Sequence, residues 1–327
     1  MGNKGVEVVG VIGLGFMGCS IVAALLLKDQ QVVAVAPLST DLKEGPGEIE
    51  QALLQCLNNG FTDQDPKVLM ENLEITEDYS ALAPCTIVIE TVIEDLAIKK
   101  SVLEKVESVV ADDAIITSNT SAIPISTLQK FLHKPHRFYG MHWAEPAYAS
   151  RFLELISGSE SSSLLVEKLR RVTVAWGKEP TIVRKDIRGF ITNRIMYAMY
   201  REAFYLVENG YATIEDVDSA CKNDGGTWMS FCGLFRYMDL TGLQAYHTVM
   251  KDLFPTLSNE TKVPKLISRI AEQGGNGTSN GRGFYTYTPD EAREWDEAFR
   301  NFSLELYKLT EQYIDLGKVQ KDNNERS

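Results

Sequence analysis

Six residues near the N-terminus have the spacing of a dinucleotide-binding loop. Residues 13–18 read G-L-G-F-M-G, after an apolar run at 6–12 and before a helical pattern that reaches residue 28. In such a loop the first glycine makes the tight turn, the second lets the backbone approach a pyrophosphate, and the third lets the helix pack on the strand. The N–H groups and positive dipole end of the helix then face the phosphates. The predicted cofactor-binding residues here are Gly13, Gly15, Phe16, Met17 and Gly18. The structural alternative is a glycine turn without a ligand.

The acidic residue that ends the second strand of such domains and bonds the adenosine ribose is missing. Its place after the apolar run 31–35 is taken by Ala36. Without that carboxylate nothing repels a 2′-phosphate, and Ser39, Thr40 or Lys43 could bond one. Asp41 could instead reach back to a ribose. These residues are compatible with both dinucleotides; NAD is the predicted cofactor, with Ser39 at its binding site, and NADP is the alternative.

One of the four histidines stands where an α/β sheet places its chemistry. His133 and His136 flank a polar turn, and His247 lies in a helical region, whereas His142 follows the apolar run 138–141. An imidazole with a pKa near neutrality suits the base that removes a hydroxyl proton while a hydride leaves the same carbon. A hydrogen-bonded core histidine is the structural alternative.

The elements that must position these residues follow an α/β pattern in the first half of the chain. Nearly continuous apolar runs at 6–12, 31–36, 86–90, 114–118, 137–141 and 151–156 alternate with helical patterns such as 48–58 and 96–110. Such runs predict βαβ units with right-handed crossovers and a parallel sheet covered on both faces. The predicted fold class is α/β, with a Rossmann-type doubly wound sheet.

Helical periodicity takes over after residue 187. The apolar residues of two stripes recur at helical spacing, which indicates core or dimer packing: Met196, Met199, Tyr200, Ala203 and Val207, then Trp295, Phe299, Phe302, Leu306, Leu309 and Tyr313. The glycine-rich segment 274–283 has no strand–helix context and is predicted to be a loop. The predicted domains are therefore 1–186, an NAD(P)-binding α/β domain, and 187–327, an all-helical domain for substrate binding and dimerisation.

Composition narrows the possible partners. Lys and Arg number 33 and Asp and Glu 45, a formal net charge of −12, which argues against nucleic acid or an anionic membrane surface as the main partner. The uncharged stretch 8–27 is interrupted by four glycines, so it does not predict a membrane span. Five scattered cysteines without C-x-x-C spacing predict reduced thiols, no metal site and a cytoplasmic protein.

Five stretches together resemble the L-3-hydroxyacyl-CoA dehydrogenase family over nearly the full length of the chain. They are the loop 13–18, residues 90–94 with Lys99, residues 118–121, His142 with Glu154, and residues 189–194. The C-terminal segment around Trp295 and residues 281–285 are most similar to the single-chain branch that contains L-gulonate 3-dehydrogenase, lambda-crystallin and carnitine dehydrogenase. The resemblance implies a 6-phosphogluconate-dehydrogenase-like helical C-terminal domain and a homodimer formed through residues 187–327. It also implies NAD-dependent oxidation of the 3-hydroxyl of a small 3-hydroxyacyl compound.

The same resemblance implies roles for individual side chains. His142 would be the base, oriented by Glu154, while Ser121 and Asn193 would hydrogen-bond the reacting oxygen. The positions of Glu94, Lys99 and Asn119 match cofactor-binding positions, the first two near the nicotinamide ribose. Helix caps explain Ser121 and Asn193 as well, and a solvated helix N-terminus explains Glu94 and Lys99.

Two departures from the family pattern bear on the substrate. Glu145 occupies a position that holds Asn in the family, where a buried acid needs a partner such as Arg151, Arg194 or a cationic substrate, unless it points into solvent. The segment 44–66, where acyl-CoA members carry lysines for the CoA phosphates, contains no Lys or Arg. A free 3-hydroxy acid is therefore favoured over a CoA thioester. The alternatives are a 3-hydroxyacyl-CoA dehydrogenase of fatty-acid metabolism and a non-catalytic, crystallin-like structural protein.

Overall fold

The computed structural model describes residues 7–313 and divides after Asn193 into two compact units. The first is built on eight strands: β1 Val8–Ile12, β2 Gln31–Val35, β3 Leu73–Thr76, β4 Ile87–Glu90, β5 Ile115–Ser118, β6 Phe138–Trp143, β7 Phe152–Ser157 and β8 Glu179–Val183. Six helices accompany them: α1 Phe16–Leu26, α2 Ser39–Asn58, α3 Pro66–Met70, α4 Leu96–Val109, α5 Ile125–Leu128 and α6 Ser163–Ala175. The first unit extends beyond the predicted boundary at residue 186, because Ile191 and Thr192 donate backbone hydrogen bonds to Glu154.

The strands form one sheet in the order β3-β2-β1-β4-β5-β6-β7-β8. The chain leaves β1 towards β2 and β3 and then returns to the other side of β1 with β4, so the topological switch point lies between β1 and β4, where α/β sheets bind ligands. The predicted α/β fold is confirmed. The expectation of a parallel sheet holds for every pairing except β6 with β7, which is antiparallel and sets His142 opposite Glu154.

Two strands, β3 and β8, were not predicted from the sequence. They are the two edge strands, and all of their residues except Val183 are exposed or partly buried instead of forming a buried apolar run. Pro180 lies within β8, which an edge strand tolerates because it lacks a neighbour on one side. A continuous apolar run is typical of central strands that are buried on both faces, so it does not predict edge strands of this kind.

Helix α2 begins nine residues before the predicted helical segment at 48–58, since it starts at Ser39 and contains Pro46. Gly45 is buried, and a Cβ atom there would lie 3.0 Å from Leu14 of the glycine loop. The glycine therefore lets α2 approach the loop closely.

The second unit is helical, as predicted: α7 Thr192–Glu208, α8 Ile214–Ala220, α9 Gly226–Thr241, α10 Leu243–Leu253, α11 Lys265–Glu272 and α12 Pro289–Glu311. Helices α7 to α11 contain no buried residue, and α12 has one, Leu304. Trp295 and Phe302 of the predicted stripe are 65% and 58% exposed. Between residues 7 and 313 no helix combines the length and apolarity needed to cross a membrane.

Candidate active site

The glycine loop connects β1 to α1 at the switch point of the sheet. Gly13 has φ +92°, a left-handed conformation that glycine adopts without strain. A Cβ atom on Gly18 would lie 1.9 Å from the Gly13 carbonyl oxygen, whereas one on Gly15 would meet nothing within 4 Å. The Thr91 hydroxyl donates to the carbonyl oxygens of Ile12 and Gly13, 2.9 Å each, and so fixes the loop to the end of β4.

The loop has the features that a bound pyrophosphate requires. Gly15 precedes the first turn of α1, where Phe16 and Met17 contribute N–H groups that have no acceptor inside the helix. Phe16 is 65% exposed, and the space beside Gly15 is open, so a phosphate group can approach the backbone. These residues therefore fit a dinucleotide.

Asp41 places an acidic group beside the glycine loop, whereas Ala36 offers none. Its carboxylate accepts a 3.2 Å hydrogen bond from the backbone N–H of Leu14, so it lies against the glycine loop although it belongs to α2. Ala36 itself is fully buried. A negative charge at this place opposes a 2′-phosphate and agrees with NAD. Ser39 is exposed at the first residue of α2.

Glu94 organises the turn that follows β5. One of its oxygens accepts hydrogen bonds from the Thr120 hydroxyl and from the backbone N–H groups of Ser121 and Ala122, at 3.1 and 3.0 Å. Burial pushes the pKa of Glu94 upward, but the Thr120 hydrogen bond, the Lys99 charge and the backbone donors outweigh it and leave the pKa below its usual value. Glu94 is thus a stable anion that holds the chain around Ser121.

Lys99 is buried, contrary to the alternative of a solvated helix N-terminus. Its ammonium lies 2.8 Å from Glu90, 3.3 Å from Glu94 and 3.1 Å from the Val92 carbonyl oxygen, which occupies its three N–H donors. Glu90 also accepts from the Ser118 hydroxyl at 2.5 Å. Burial of Glu90 raises its pKa despite these partners. Sequence reasoning assigned no role to Glu90, although a carboxylate that ends an all-apolar strand signals a buried ion pair.

His142 and Glu154 form a buried pair across β6 and β7. The Nδ1 atom of His142 lies 2.8 Å from Glu154 Oε2, and Glu154 is fully buried. The other Glu154 oxygen accepts from the N–H groups of Ile191 and Thr192, both at 3.0 Å, where α7 begins. Burial pushes the pKa of Glu154 upward, yet the bonds from His142, Thr192 and Ile191 hold it below its usual value. Glu154 is therefore a buried anion and not a surface acid at the end of a strand.

This pair determines which nitrogen of His142 can accept a proton. An ionised carboxylate only accepts hydrogen bonds, so the Nδ1 atom of a neutral imidazole carries the hydrogen and Nε2 keeps its lone pair. Nε2 lies 3.2 Å from the Ser121 hydroxyl oxygen. The rings of Phe152 and Phe190 flank the imidazole with centroids at 5.7 and 5.6 Å. The ring is consequently held by apolar contacts with its basic atom towards Ser121.

Asn193 and Asn119 attach to the same group of residues. Asn193 Nδ2 donates to the Ser121 carbonyl oxygen at 3.1 Å, and Asn119 Oδ1 accepts from the backbone N–H of Trp143 at 2.9 Å. The structure thus brings seven of the predicted site residues into one hydrogen-bonded network: Glu94, Lys99, Asn119, Ser121, His142, Glu154 and Asn193. Ser39 stands apart from it within the residues that the structure describes.

Glu145 lies half-buried just after β6, and its Oε2 atom is shielded from solvent. The alternative in which this side chain points into solvent is therefore wrong. No group of three or more His, Cys, Asp or Glu residues within 7–313 could hold a metal ion.

Comparisons with known proteins agree with this geometry. Residues 8–187 match the family model described as 3-hydroxyacyl-CoA dehydrogenase, NAD binding domain, and residues 189–287 match the C-terminal domain of the same enzyme. The chain is 31% identical to 5-formyl-3-hydroxy-2-methylpyridine 4-carboxylate 5-dehydrogenase of Mesorhizobium japonicum, over 87% of this chain and 92% of the relative. It is 30% identical to a 3-hydroxybutyryl-CoA dehydrogenase of Mycobacterium tuberculosis, over 87% of this chain and all of the relative.

Solved structures give the same picture. The crystal structure of the 5-formyl-3-hydroxy-2-methylpyridine 4-carboxylic acid 5-dehydrogenase, described as an NAD⁺-dependent dismutase, matches 94% of this chain and 99% of its own with a TM-score of 0.88 and 29% identity. The (S)-3-hydroxybutyryl-CoA dehydrogenase of Ralstonia eutropha matches 86% of this chain and 99% of its own with a TM-score of 0.71 and 28% identity.

Proposed function

The chain belongs to the 3-hydroxyacyl-CoA dehydrogenase family and is an NAD-dependent dehydrogenase, and we propose that it oxidises the 3-hydroxyl of a small free hydroxy acid with His142 as the base. The relatives are named dehydrogenases, which supports an enzyme over the crystallin-like structural alternative. The narrower similarity to the gulonate dehydrogenase branch stays a prediction. The observation that carries the proposal is the chain of contacts from Ser121 through His142 to Glu154.

The proton step follows from the tautomer of His142. Nε2 takes the proton of the substrate hydroxyl, and the resulting imidazolium donates through Nδ1 to Glu154, which stabilises the new charge. Because three donors of Ile191 and Thr192 already fix the other carboxylate oxygen, Glu154 orients the ring without moving. Bound NAD supplies the hydride acceptor.

Ser121 and Asn193 position the reacting oxygen. The Ser121 hydroxyl lies 3.2 Å from Nε2, so a substrate hydroxyl that bonds to this nitrogen also lies within reach of the serine. Asn193 donates one amide hydrogen to the Ser121 carbonyl oxygen and has a second for the substrate. Glu94 lies near the nicotinamide ribose in this proposal, and Lys99 acts through Glu94 because its own donors are occupied.

The charge of α2 supports a substrate without coenzyme A. Glu44, Glu48 and Glu50 are exposed on this helix, and no Lys or Arg occurs from 44 to 66. A ligand with several phosphate charges would therefore meet like charge there. The relative from Mesorhizobium japonicum is named for a pyridine carboxylate, which is a free acid.

A substrate panel tests the proposal. The full chain is assayed with NAD and NADP against 3-hydroxybutyryl-CoA, 3-hydroxybutyrate, gulonate and carnitine. We expect the highest kcat/KM with a free hydroxy acid and NAD. A strong preference for the CoA thioester would refute the substrate class and leave the catalytic pair untouched.

A variant tests the catalytic pair separately. His142→Gln should lower kcat by about 10²- to 10⁴-fold while NADH binding, followed by fluorescence, stays the same. Retained turnover in this variant would remove His142 from the mechanism whatever the substrate.

A 3-hydroxyacyl-CoA dehydrogenase of fatty-acid metabolism is the second candidate. The observation that favours it is the 30% identity to the 3-hydroxybutyryl-CoA dehydrogenase, which extends over the whole length of that relative. The substrate panel above separates the two candidates directly, because both share the proton step at His142.

We also propose that the protein is a cytoplasmic homodimer formed through the helical unit. Large apolar side chains are exposed there, including Tyr197, Phe235 and Trp295 at 66%, 80% and 65%. A surface of this kind in a monomer would cost solubility, and a second copy can cover it. Sedimentation at micromolar concentration should give the mass of two chains; a single-chain mass would contradict the proposal.

A further inference from the structure

A buried lysine outside the predicted site lies beside the catalytic strand. Lys178 immediately precedes β8, is 5% exposed and donates to the carbonyl oxygens of Ala147 and Ser150. These two residues belong to the segment 144–151, which connects β6 to β7 and which we call the β6–β7 turn. A single amine thus holds two points of the turn that follows His142.

The opposite side of the same turn is held by the cofactor-binding helix. Ser20, buried in α1, accepts a 2.8 Å hydrogen bond from the backbone N–H of Ala147. Ala147 is therefore bonded through its N–H to the helix that begins at Gly15 and through its carbonyl oxygen to Lys178. The β6–β7 turn is consequently a bridge between α1 and the start of β8.

Lys178 also contacts the residue next to His142. Its amine lies over the indole of Trp143, 4.9 Å from the ring centroid, and Trp176 stacks on the same indole with centroids 6.2 Å apart and an interplanar angle of 20°. The backbone N–H of Trp143 is bonded to Asn119. Contacts of both its side chain and its backbone thus fix the position of Trp143, and Trp143 is the last residue of β6.

We propose that Lys178 is a positioning residue for hydride transfer, which together with Ser20 clamps the β6–β7 turn and so aligns His142 on β6 with the cofactor-binding helix α1. The inference rests on the proposed function for the identity of the catalytic base. It needs no titration of Lys178, because an amine with two N–H groups and an ammonium with three can both donate to two carbonyl oxygens.

Lys178→Met keeps the apolar stem and removes both donors, and Lys168→Met on the exposed face of α6 is the matched control. We expect kcat to fall about tenfold or more, since a misplacement of about 1 Å can cost on the order of 100-fold in rate. The Kd of NADH should change less than about twofold, because the glycine loop keeps its own contacts. A primary deuterium isotope effect on kcat should rise, since hydride transfer becomes slower.

Ser20→Ala provides a second route if the first variant does not fold. It should lower kcat in the same direction, and the double variant should fall by less than the product of the two single effects, because both residues act through Ala147. The Lys168→Met control should keep the wild-type kcat. Multiplicative effects, or an unchanged kcat in a folded Lys178→Met variant, would overturn the proposal.

Amide hydrogen exchange gives a readout that does not depend on the substrate. Peptides that cover 144–151 should exchange faster in Lys178→Met and in Ser20→Ala than in the wild-type protein, while peptides of β1 and β2 keep their rates. Unchanged exchange in the turn would show that no clamp exists. Faster exchange together with an active His142→Gln variant would instead reject the proposed function and retain the clamp.

Discussion

Replacing Glu154 by Gln is the substitution that discriminates most sharply between a structural and a catalytic role for the His142–Glu154 pair. One carboxylate oxygen accepts hydrogen bonds from three donors of Ile191 and Thr192. The other oxygen lies 2.8 Å from His142 Nδ1. In Glu154→Gln the amide oxygen should keep the hydrogen bonds from Ile191 and Thr192, and the NH₂ group then faces His142 Nδ1. The imidazole must then accept at Nδ1 and carry its hydrogen on Nε2, so it is no longer a base towards the substrate.

The expected loss is large although the shape of the site is preserved. A general base raises the rate by about 10²- to 10⁴-fold, which corresponds to roughly 3 to 5 kcal/mol in the activation free energy. We expect the loss of kcat caused by the wrong tautomer to lie at the upper end of this range. NADH absorbance gives kcat, and NADH fluorescence gives the Kd, which should not change. Glu104→Gln, at an exposed position on α4, controls for the loss of one charge.

A second substitution at the same position makes the reasoning refutable. Glu154→Ala removes the competing amide donor, so His142 can regain the Nδ1–H tautomer, and we expect it to be more active than Glu154→Gln. It should also be less stable, because the N–H groups of Ile191 and Thr192 lose their acceptor at about 1–3 kcal/mol each. A Glu154→Gln variant as active as Glu154→Ala, with intact NADH binding, would refute the tautomer argument.

Three further predictions concern the cofactor loop, the buried lysine and the substrate. Gly18→Ala should abolish NADH binding measured by fluorescence, because its Cβ would lie 1.9 Å from a backbone oxygen, whereas Gly15→Ala should weaken binding without unfolding the protein, since that Cβ meets no atom. Burial lowers the pKa of Lys178 from 10.5 to about 7, helped by the charges of Lys28 and Arg151. Above pH 7 the unfolded state therefore holds a proton that the folded state lacks, and the free energy of unfolding should rise with pH by up to about 1.4 kcal/mol per unit. Denaturation of wild type and Lys178→Met between pH 7 and 8, below the pKa of 9.0 at which the thiols of Cys19, Cys56 and Cys85 ionise in the unfolded state and act in the opposite sense, should show this rise in the wild type alone. Gln51→Lys with Leu54→Lys on the exposed face of α2 should lower the KM for 3-hydroxybutyryl-CoA and leave that for free acids unchanged; equal effects on both would argue against α2 as the site of charge discrimination.

The parts of the fold that the sequence predicted are those in which burial imposes a pattern. The central strands β1, β2 and β4 are mostly apolar, because both faces of a parallel sheet are covered. That pattern is missing from the edge strands β3 and β8, because exposed positions do not require apolar side chains. It is also missing from the first turns of α2, where a close contact between Gly45 and Leu14 determines the residue type.

The candidate site divides in the same way. The glycine loop is local in sequence, so its spacing alone predicted it. The partners of His142 come from residues 121 and 154, and the pairing of strands brings them together, whereas Lys99 reaches Glu90 and Glu94 within the connection from β4 to α4. No sequence motif marks Lys178, because its hydrogen-bond acceptors are backbone carbonyl oxygens, which any sequence can supply.

Two fully buried carboxylates lie on strands of this sheet, Glu90 at the end of β4 and Glu154 within β7, in a protein of net charge −12, and they are stabilised by different means. Glu90 has a cation, Lys99, and its pKa nevertheless lies above the usual value because of its burial. Glu154 accepts hydrogen bonds from His142 and from the N–H groups of Thr192 and Ile191 at the start of α7, and these bonds hold its pKa below the usual value although burial opposes this. A permanent cation beside Glu154 would repel the imidazolium that forms when His142 accepts a proton, whereas neutral N–H donors do not. Peptide donors at the start of a helix therefore keep Glu154 ionised through both protonation states of His142, and this is the property that a reversible base requires of its partner.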